Sequence, residues 1–293
     1  MAPMRRHAAA ALGAAVTVAF AAAAGPRPAV ADGPPAAPAR VVSMNLCADE
    51  LLLRLADPGQ VASVTYLSQD PDQSTVAAEA RLHPVNHGRA EEVLRLDPDL
   101  ILAGRSTTRA AVDLLRRVGA PVVELDVPTT LPEVESQIRM LGATLGNPAR
   151  ADAMIAEIEA AFGGREGPPA GDAPTAVVFA PNGFTVGEGS LVHAIIEAAG
   201  LRNLGAEQDL GAYRHLPLER LMALAPDVLI VNADETSPAR AFEVLRHPAL
   251  RKLPGRPVIV RLSPKLWICA GPEIVRALSI LTDAAGRAGG RRS

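Results

Sequence analysis

Residues 91–102, EEVLRLDPDLIL, return in altered form at 219–230, ERLMALAPDVLI, so that Glu91, Leu96, Pro98 and Asp99 fall on Glu219, Leu224, Pro226 and Asp227 at one constant interval. A chain carrying such a repeat is expected to fold as two related halves. In each copy apolar residues (Val93, Leu94 and Leu96, then Leu221, Met222 and Leu224) gather on one side of a short helix that begins with an acid. Proline ends that helix, because the residue before it is driven out of the helical region and its own nitrogen has no hydrogen to donate. The apolar runs that follow, LILA at 100–103 and VLIV at 228–231, read as buried parallel strands.

Other strand-like runs keep the same rhythm. RVVSM (40–44), VASVTYL (61–67), LILAG (100–104) and VVELD (122–126) form a first series, and TAVVFAP (175–181), VLIVNA (228–233) and PVIVRL (257–262) a second. Helical patterns separate them, which predicts two α/β units with largely parallel sheets. Between the series, residues 131–162 lack strand character. Pro132 opens one helix, Gly146-Asn147 interrupts it, and Pro148 opens a second through ADAMIAEIEAAF. At ~15 residues this second helix spans about 22 Å, enough to pass once from one half to the other. The expected fold is therefore α/β, two α/β lobes with mainly parallel sheets joined by a single long helix, an arrangement that can form a cleft. Its boundaries fall at 32–146 for the first lobe, 147–164 for the connecting helix and 165–293 for the second lobe.

The first 31 residues differ from the rest: Arg5 and Arg6 precede an Ala-rich apolar stretch from Ala8 to Ala24, and Ala29-Val30-Ala31 offers a small-residue cleavage site. This pattern predicts a secretory signal peptide and hence a periplasmic protein. Its removal takes Arg5, Arg6 and Arg27 but no acid, making an already acidic chain (formal charge −3) more so. Without a basic block, nucleic acid is an unsuitable partner.

Four segments in order, RVVSMNLCADELLLRL, HGRAEEVLRLDPDLILAG, GSLVHAIIEAAGLRNL and LPLERLMALAPDVLIVN, resemble the periplasmic substrate-binding proteins of ABC importers for iron chelates, haem and vitamin B12 (cobalamin), a likeness that implies two α/β sandwich lobes with the ligand cleft between them. The resemblance covers about residues 40–285. It implies a soluble monomer that captures a small-molecule metal chelate between its lobes and delivers it to a permease dimer at the inner membrane. It also implies that Glu91 and Glu219, one per lobe, dock onto arginines of the two permease subunits. Paired acids on two related lobes suit a dimeric partner that offers the same basic pocket twice.

Ligand contacts are expected on loops after the carboxyl ends of parallel strands. These positions nominate Asn45, Cys47, Tyr66, the Asn86-His87-Gly88 stretch and Arg105 in the first lobe, and Asn182, Phe184, Tyr213, Arg214, Trp267 and Cys269 in the second. Trp267 is the only tryptophan in a chain with 3% aromatic residues, placed where an indole can cover a flat macrocycle or equally seal the core. Arg105 and Arg214 suit an anionic chelate, and His87 suits a metal or a hydrogen bond to ligand. Cys47 and Cys269 leave three readings open: inert thiols, a disulfide between lobes, or soft contacts to a bound metal complex.

The six histidines are scattered, with Pro84 between His83 and His87, so no bare-metal site and no intrinsic cofactor are expected. GEGSLVH lacks the G-x-S-x-G order of a hydrolase elbow, and its Ser190 reads better as a helix N-cap, so the chain is expected not to be an enzyme. The vitamin B12 binders of the family this chain resembles offer several aromatics to the corrin, whereas PVNHG before Glu91 carries none, so the resemblance places a ferric siderophore or haem slightly ahead of a cobalamin-like corrinoid. A sensing module without a transporter is the reading from another class.

Overall fold

The computed structural model describes residues 37–106, 109–165, 169–208, 211–232 and 240–292; the leader expected at 1–31 lies outside them. In the first lobe the order is β1 (Val41–Ser43), α1 (Leu46–Leu55), β2 (Val61–Thr65), α2 (Ala77–Ala80), β3 (Val85–Asn86), α3 (Ala90–Leu94), β4 (Leu100–Gly104), α4 (Arg109–Arg117) and β5 (Val122–Leu125). Two helices follow, α5 (Leu131–Thr144) and α6 (Pro148–Phe162). The second lobe runs β6 (Thr175–Phe179), β7 (Phe184–Val186), α7 (Leu191–Ala198), β8 (Arg202–Asn203), α8 (Leu204–Glu207), β9 (Tyr213–His215), α9 (Leu218–Leu224), β10 (Val228–Asn232), β11 (Val258–Leu262) and α10 (Glu273–Arg292).

Each lobe has a parallel sheet, ordered β3-β2-β1-β4-β5 in the first and β11-β10-β6-β8 in the second. Both orders reverse direction beside the first strand of the lobe, at β1/β4 and at β6/β10. Side chains alternate across the sheets as the pleat requires. Val41, Leu100 and Leu102 face inward with Ala176, Val178, Val228 and Ile230 into one continuous core that also takes up α1, α5, α6, α7 and α10. Val42 and Ile101 face a separate outer core under α3 and α4, and Val177, Phe179, Leu229 and Val231 another under α9. One core shared through the helices at the lobe junction makes that junction stiff, because close-packed interiors do not deform continuously.

The repeat read in the sequence is also a repeat of backbone and hydrogen bonds. Asp97 and Ala225, at matching positions after α3 and α9, both adopt left-handed backbone (φ 47° and 45°). Each turn then presents an aspartate that holds the entry to its lobe's first strand. Asp99 accepts from the Ala39 and Arg40 amides at 2.7 and 2.8 Å, and Asp227 from the Thr175 amide and hydroxyl at 2.8 and 2.9 Å. A second correspondence links Asn86 and Asn203, each at the end of a two-residue strand with its side-chain oxygen on the amide two residues on, Gly88 and Gly205, at 3.0 Å.

The sequence missed four short strands. β3 and β8 are too short to show alternation, and β7 and β9 form an antiparallel ribbon pairing Phe184 with His215 and Val186 with Tyr213. That ribbon carries three of the nominated ligand residues.

Candidate functional site

A cavity of about 270 Å³ lies at the reversal point of the second sheet, at the carboxyl ends of β6, β10 and β11. Val178, Ile230 and Leu262 line its floor, the β7–β9 ribbon contributes Phe184 and Tyr213, and Val127 and Pro128, just past β5 of the first lobe, close it from the other side. Among the described residues the lining is almost wholly apolar, with Asn232 the one amide side chain. Crevices of open parallel sheets form at such reversal points because neighbouring connections leave in opposite directions.

Aromatic side chains stack in two pairs, one of them in the cavity wall and the other on the first lobe. Phe184 and Tyr213 stack with centroids 5.8 Å apart and planes at 17°, held by the antiparallel ribbon. Tyr66 and His87, following β2 and β3, stack at 5.0 Å and 24°. Tyr66, Phe184 and Tyr213 remain 51, 44 and 48% exposed, which for rings in a chain so poor in aromatics marks surface kept available rather than core. Partial burial pushes the Tyr213 phenol up. His87 is oriented from its backbone: its amide donates to Glu92 at 2.7 Å and holds that carboxyl below its ordinary range, with the imidazole Nδ1 3.6 Å away.

Several nominated residues have other duties. Trp267 is not an open platform; it is only 6% exposed, packed in the shared core with its indole forming part of the cavity wall. Cys47 and Cys269 are joined in a disulfide, which removes both the free-thiol reading and that of soft contacts to a metal, since neither sulfur is a thiolate. Asn45 caps α1, its side-chain oxygen accepting from the Cys47 and Ala48 amides at 3.0 and 3.2 Å, so that acceptor serves the helix. Asn182 occupies a left-handed turn (φ 58°) before β7, and its exposed side chain is absent from the cavity lining.

Arg105, exposed after β4, pairs with Asp126, and Arg214 is exposed on β9. Glu91 and Glu219 are the second residues of α3 and α9, both exposed, in equivalent settings on the two lobes. Among the described residues no group of three or more His, Cys, Asp or Glu side chains gathers in a way that holds a metal ion.

Sequence reasoning missed Val127 and Pro128. Their only signal is position, directly after the edge strand β5, and their importance comes from a second lobe whose residues lie far along the chain.

Comparison with known proteins agrees with this architecture. The chain is 31% identical over 207 residues to a cobalamin-binding protein of Halobacterium salinarum, a match covering 67% of this chain and 55% of the relative. The chain thus spans about half the length of the curated relatives it matches. Among solved structures, the periplasmic haem-binding protein RhuT from Roseiflexus sp. RS-1 in apo form aligns with a TM-score of 0.66 at 23% identity, over 84% of this chain and 98% of that one. The periplasmic vitamin B12 binding protein BtuF of Vibrio cholerae aligns with a TM-score of 0.64 at 18% identity, over 86% and 98%. The sequence profile described as periplasmic binding protein matches residues 41–255. On that match, laid over two parallel-sheet lobes with a cavity at their junction, the chain belongs to the periplasmic binding protein family.

Proposed function

We propose that this protein is the substrate-binding component of an ABC importer, that it acts in the periplasm after export on the leader at 1–31, and that its ligand is a bulky metal macrocycle, with a corrinoid first. The observation that carries this reading is the apolar cavity lined from both lobes, with the half-exposed Phe184–Tyr213 stack at its edge. At about 270 Å³ the cavity is at the small end for a small-molecule site, so it suits one apolar part of a larger ligand while the rings outside cover a flat face. Similarity to a cobalamin-binding protein over two thirds of the chain supports placing a corrinoid first.

Haem is the second reading, supported by Tyr66 and His87, whose phenol and imidazole are both haem-iron ligands. Trp267 in the cavity wall supplies the test. Cobalamin is expected to quench its fluorescence saturably, and Phe184→Ala or Tyr213→Ala to weaken binding about 2- to 10-fold, the worth of one aromatic contact. Saturable quenching by haemin alone would replace the corrinoid by haem; calorimetry showing no binding of cobalamin, haemin or ferric siderophores would end the chelate reading.

Delivery would pass through Glu91 and Glu219. Glu91→Arg and Glu219→Arg are expected to abolish uptake in cells while leaving the cobalamin titration unchanged; loss of binding instead would show that these acids serve the ligand.

A further inference from the structure

Cys47, Glu50 and Arg54 recur along one side of α1, and this side meets the second lobe. Cys47 is bonded to Cys269, and one Nη of Arg54 reaches Glu273, at the start of α10, at 3.2 Å. Between these ties lies a buried pair of carboxyl groups. Glu50 is 1% exposed and Glu273 8%, and they meet around Thr75: its amide donates to Glu50, and its hydroxyl accepts from the same Arg54 nitrogen that reaches Glu273. One oxygen of Glu50 accepts from the Ser74 hydroxyl at 3.1 Å and the Thr75 amide at 2.8 Å, and one oxygen of Glu273 accepts from Arg54. The other oxygen of each, Glu50 Oε2 and Glu273 Oε1, is buried with no donor.

Two carboxylates and one guanidinium leave a net negative charge in a buried site, and each acid keeps one acceptor unsatisfied among the described residues. One proton removes both problems. We propose that Glu50 and Glu273 share a single proton across the lobe junction, making the seam along α1 a proton-dependent tie between the lobes.

The surroundings suit such a tie. Among the described residues Arg54 is the only cation paired with Glu273; its Nη2 also donates to the Thr75 hydroxyl at 2.9 Å, while its Nε is buried without an acceptor there. Asp49, the neighbour of Glu50, turns away to the Thr65 amide, and Lys265 turns to the Pro71 carbonyl. Gly271 leaves the room needed, since a Cβ there would stand 2.5 Å from the Glu273 carboxylate. Burial, then the charge of Glu50, push Glu273 up to about 8 against the pull of Arg54. A carboxyl raised in this way favours the fold fully below its unfolded pKa, and that contribution is lost as pH rises toward about 8.

The test uses the purified protein with its disulfide intact and ¹³C-labelled glutamate, which leaves Asp49 silent. Infrared spectra at neutral pH are expected to show a protonated glutamic acid that disappears by about pH 9 and is missing in Glu273→Gln. Spin labels at Arg81 and Arg251, one per lobe, are expected to give a distance distribution that broadens over the same range in wild type but not in Glu273→Gln, whose amide stays neutral. Absence of a protonated glutamic acid at neutral pH in wild type overturns the shared proton, whatever the variant does. A distribution that ignores pH while the proton is lost overturns the tie. If Glu273→Gln does not fold, Glu50→Gln replaces it, with the same outcomes expected.

Discussion

Asp49 is fully buried, with both carboxylate oxygens 3.1 Å from the Thr65 amide. Burial pushes it up to about 7, against hydrogen bonds from Ser43, Thr65 and Ser68 that pull it down. In the unfolded chain the same group ionises near ~4, so between there and about 7 the native state holds the extra proton. Stability is therefore expected to fall as pH rises through this window and to lose nothing more to Asp49 above it. Asp49→Asn cannot ionise, and thermal unfolding from about pH 4 to about pH 7 should show a flatter dependence than wild type; an unchanged profile would mean that the folded carboxyl titrates normally. Little of this was legible beforehand. In NLCADE, Asp49 and Glu50 look like solvated acids near a helix start, and only β2 on one side and α10 on the other bury them. Trp267 misleads in the opposite sense: a rare aromatic in a Pro-flanked loop invites an exposed platform, whereas the shared core covers it.

At the scale of elements, sequence and structure meet most closely in the repeat. The proline break, the short amphipathic helix and the strand after it all follow from local rules, and β1, β2, β4, β5, β6, β10 and β11 lie where apolar runs placed them. What local rules did not reveal is the task of the conserved-looking aspartate within the repeat, because its partners, residues 39–40 and 175, are supplied by a strand entry far away in the chain. Asp227→Ala removes both bonds to Thr175 and leaves donors in a partly buried place, at an expected cost of ~1.5–3 kcal/mol. Ala225, strained at φ 45°, should respond in the other direction: Ala225→Gly is expected to add up to ~1 kcal/mol by relieving the left-handed backbone. Urea unfolding with an unchanged m-value checks both, and a stabilising Asp227→Ala or a destabilising Ala225→Gly would show that the turn is not what sets these residues. The β7–β9 ribbon marks the limit of this kind of reading. Its strands are three residues each, and it was their aromatic content, not their periodicity, that drew notice to Phe184 and Tyr213.

For the whole molecule, the question is how two lobes that meet around the cavity are held in register. Three features act together: one inner core running through both sheets, the α6 crossing, and the stripe on α1 that ends in the Cys47–Cys269 disulfide. The disulfide closes a loop over a sequence separation of 222, so reduction frees nearly the whole described chain in the unfolded state. Chain entropy for so long a loop gives about 5 kcal/mol, with measured disulfides more often at ~2–4 kcal/mol. The native state loses much less, because the shared core still positions the lobes and the sulfurs are not among the residues lining the cavity. A Cys47→Ser, Cys269→Ser double variant is therefore expected to be ~2–5 kcal/mol less stable in guanidinium titrations, while its affinity for whichever chelate quenches Trp267 stays within about threefold. Large loss of affinity with little loss of stability would mean the reverse division of labour: the disulfide, rather than the core, would be setting the cleft.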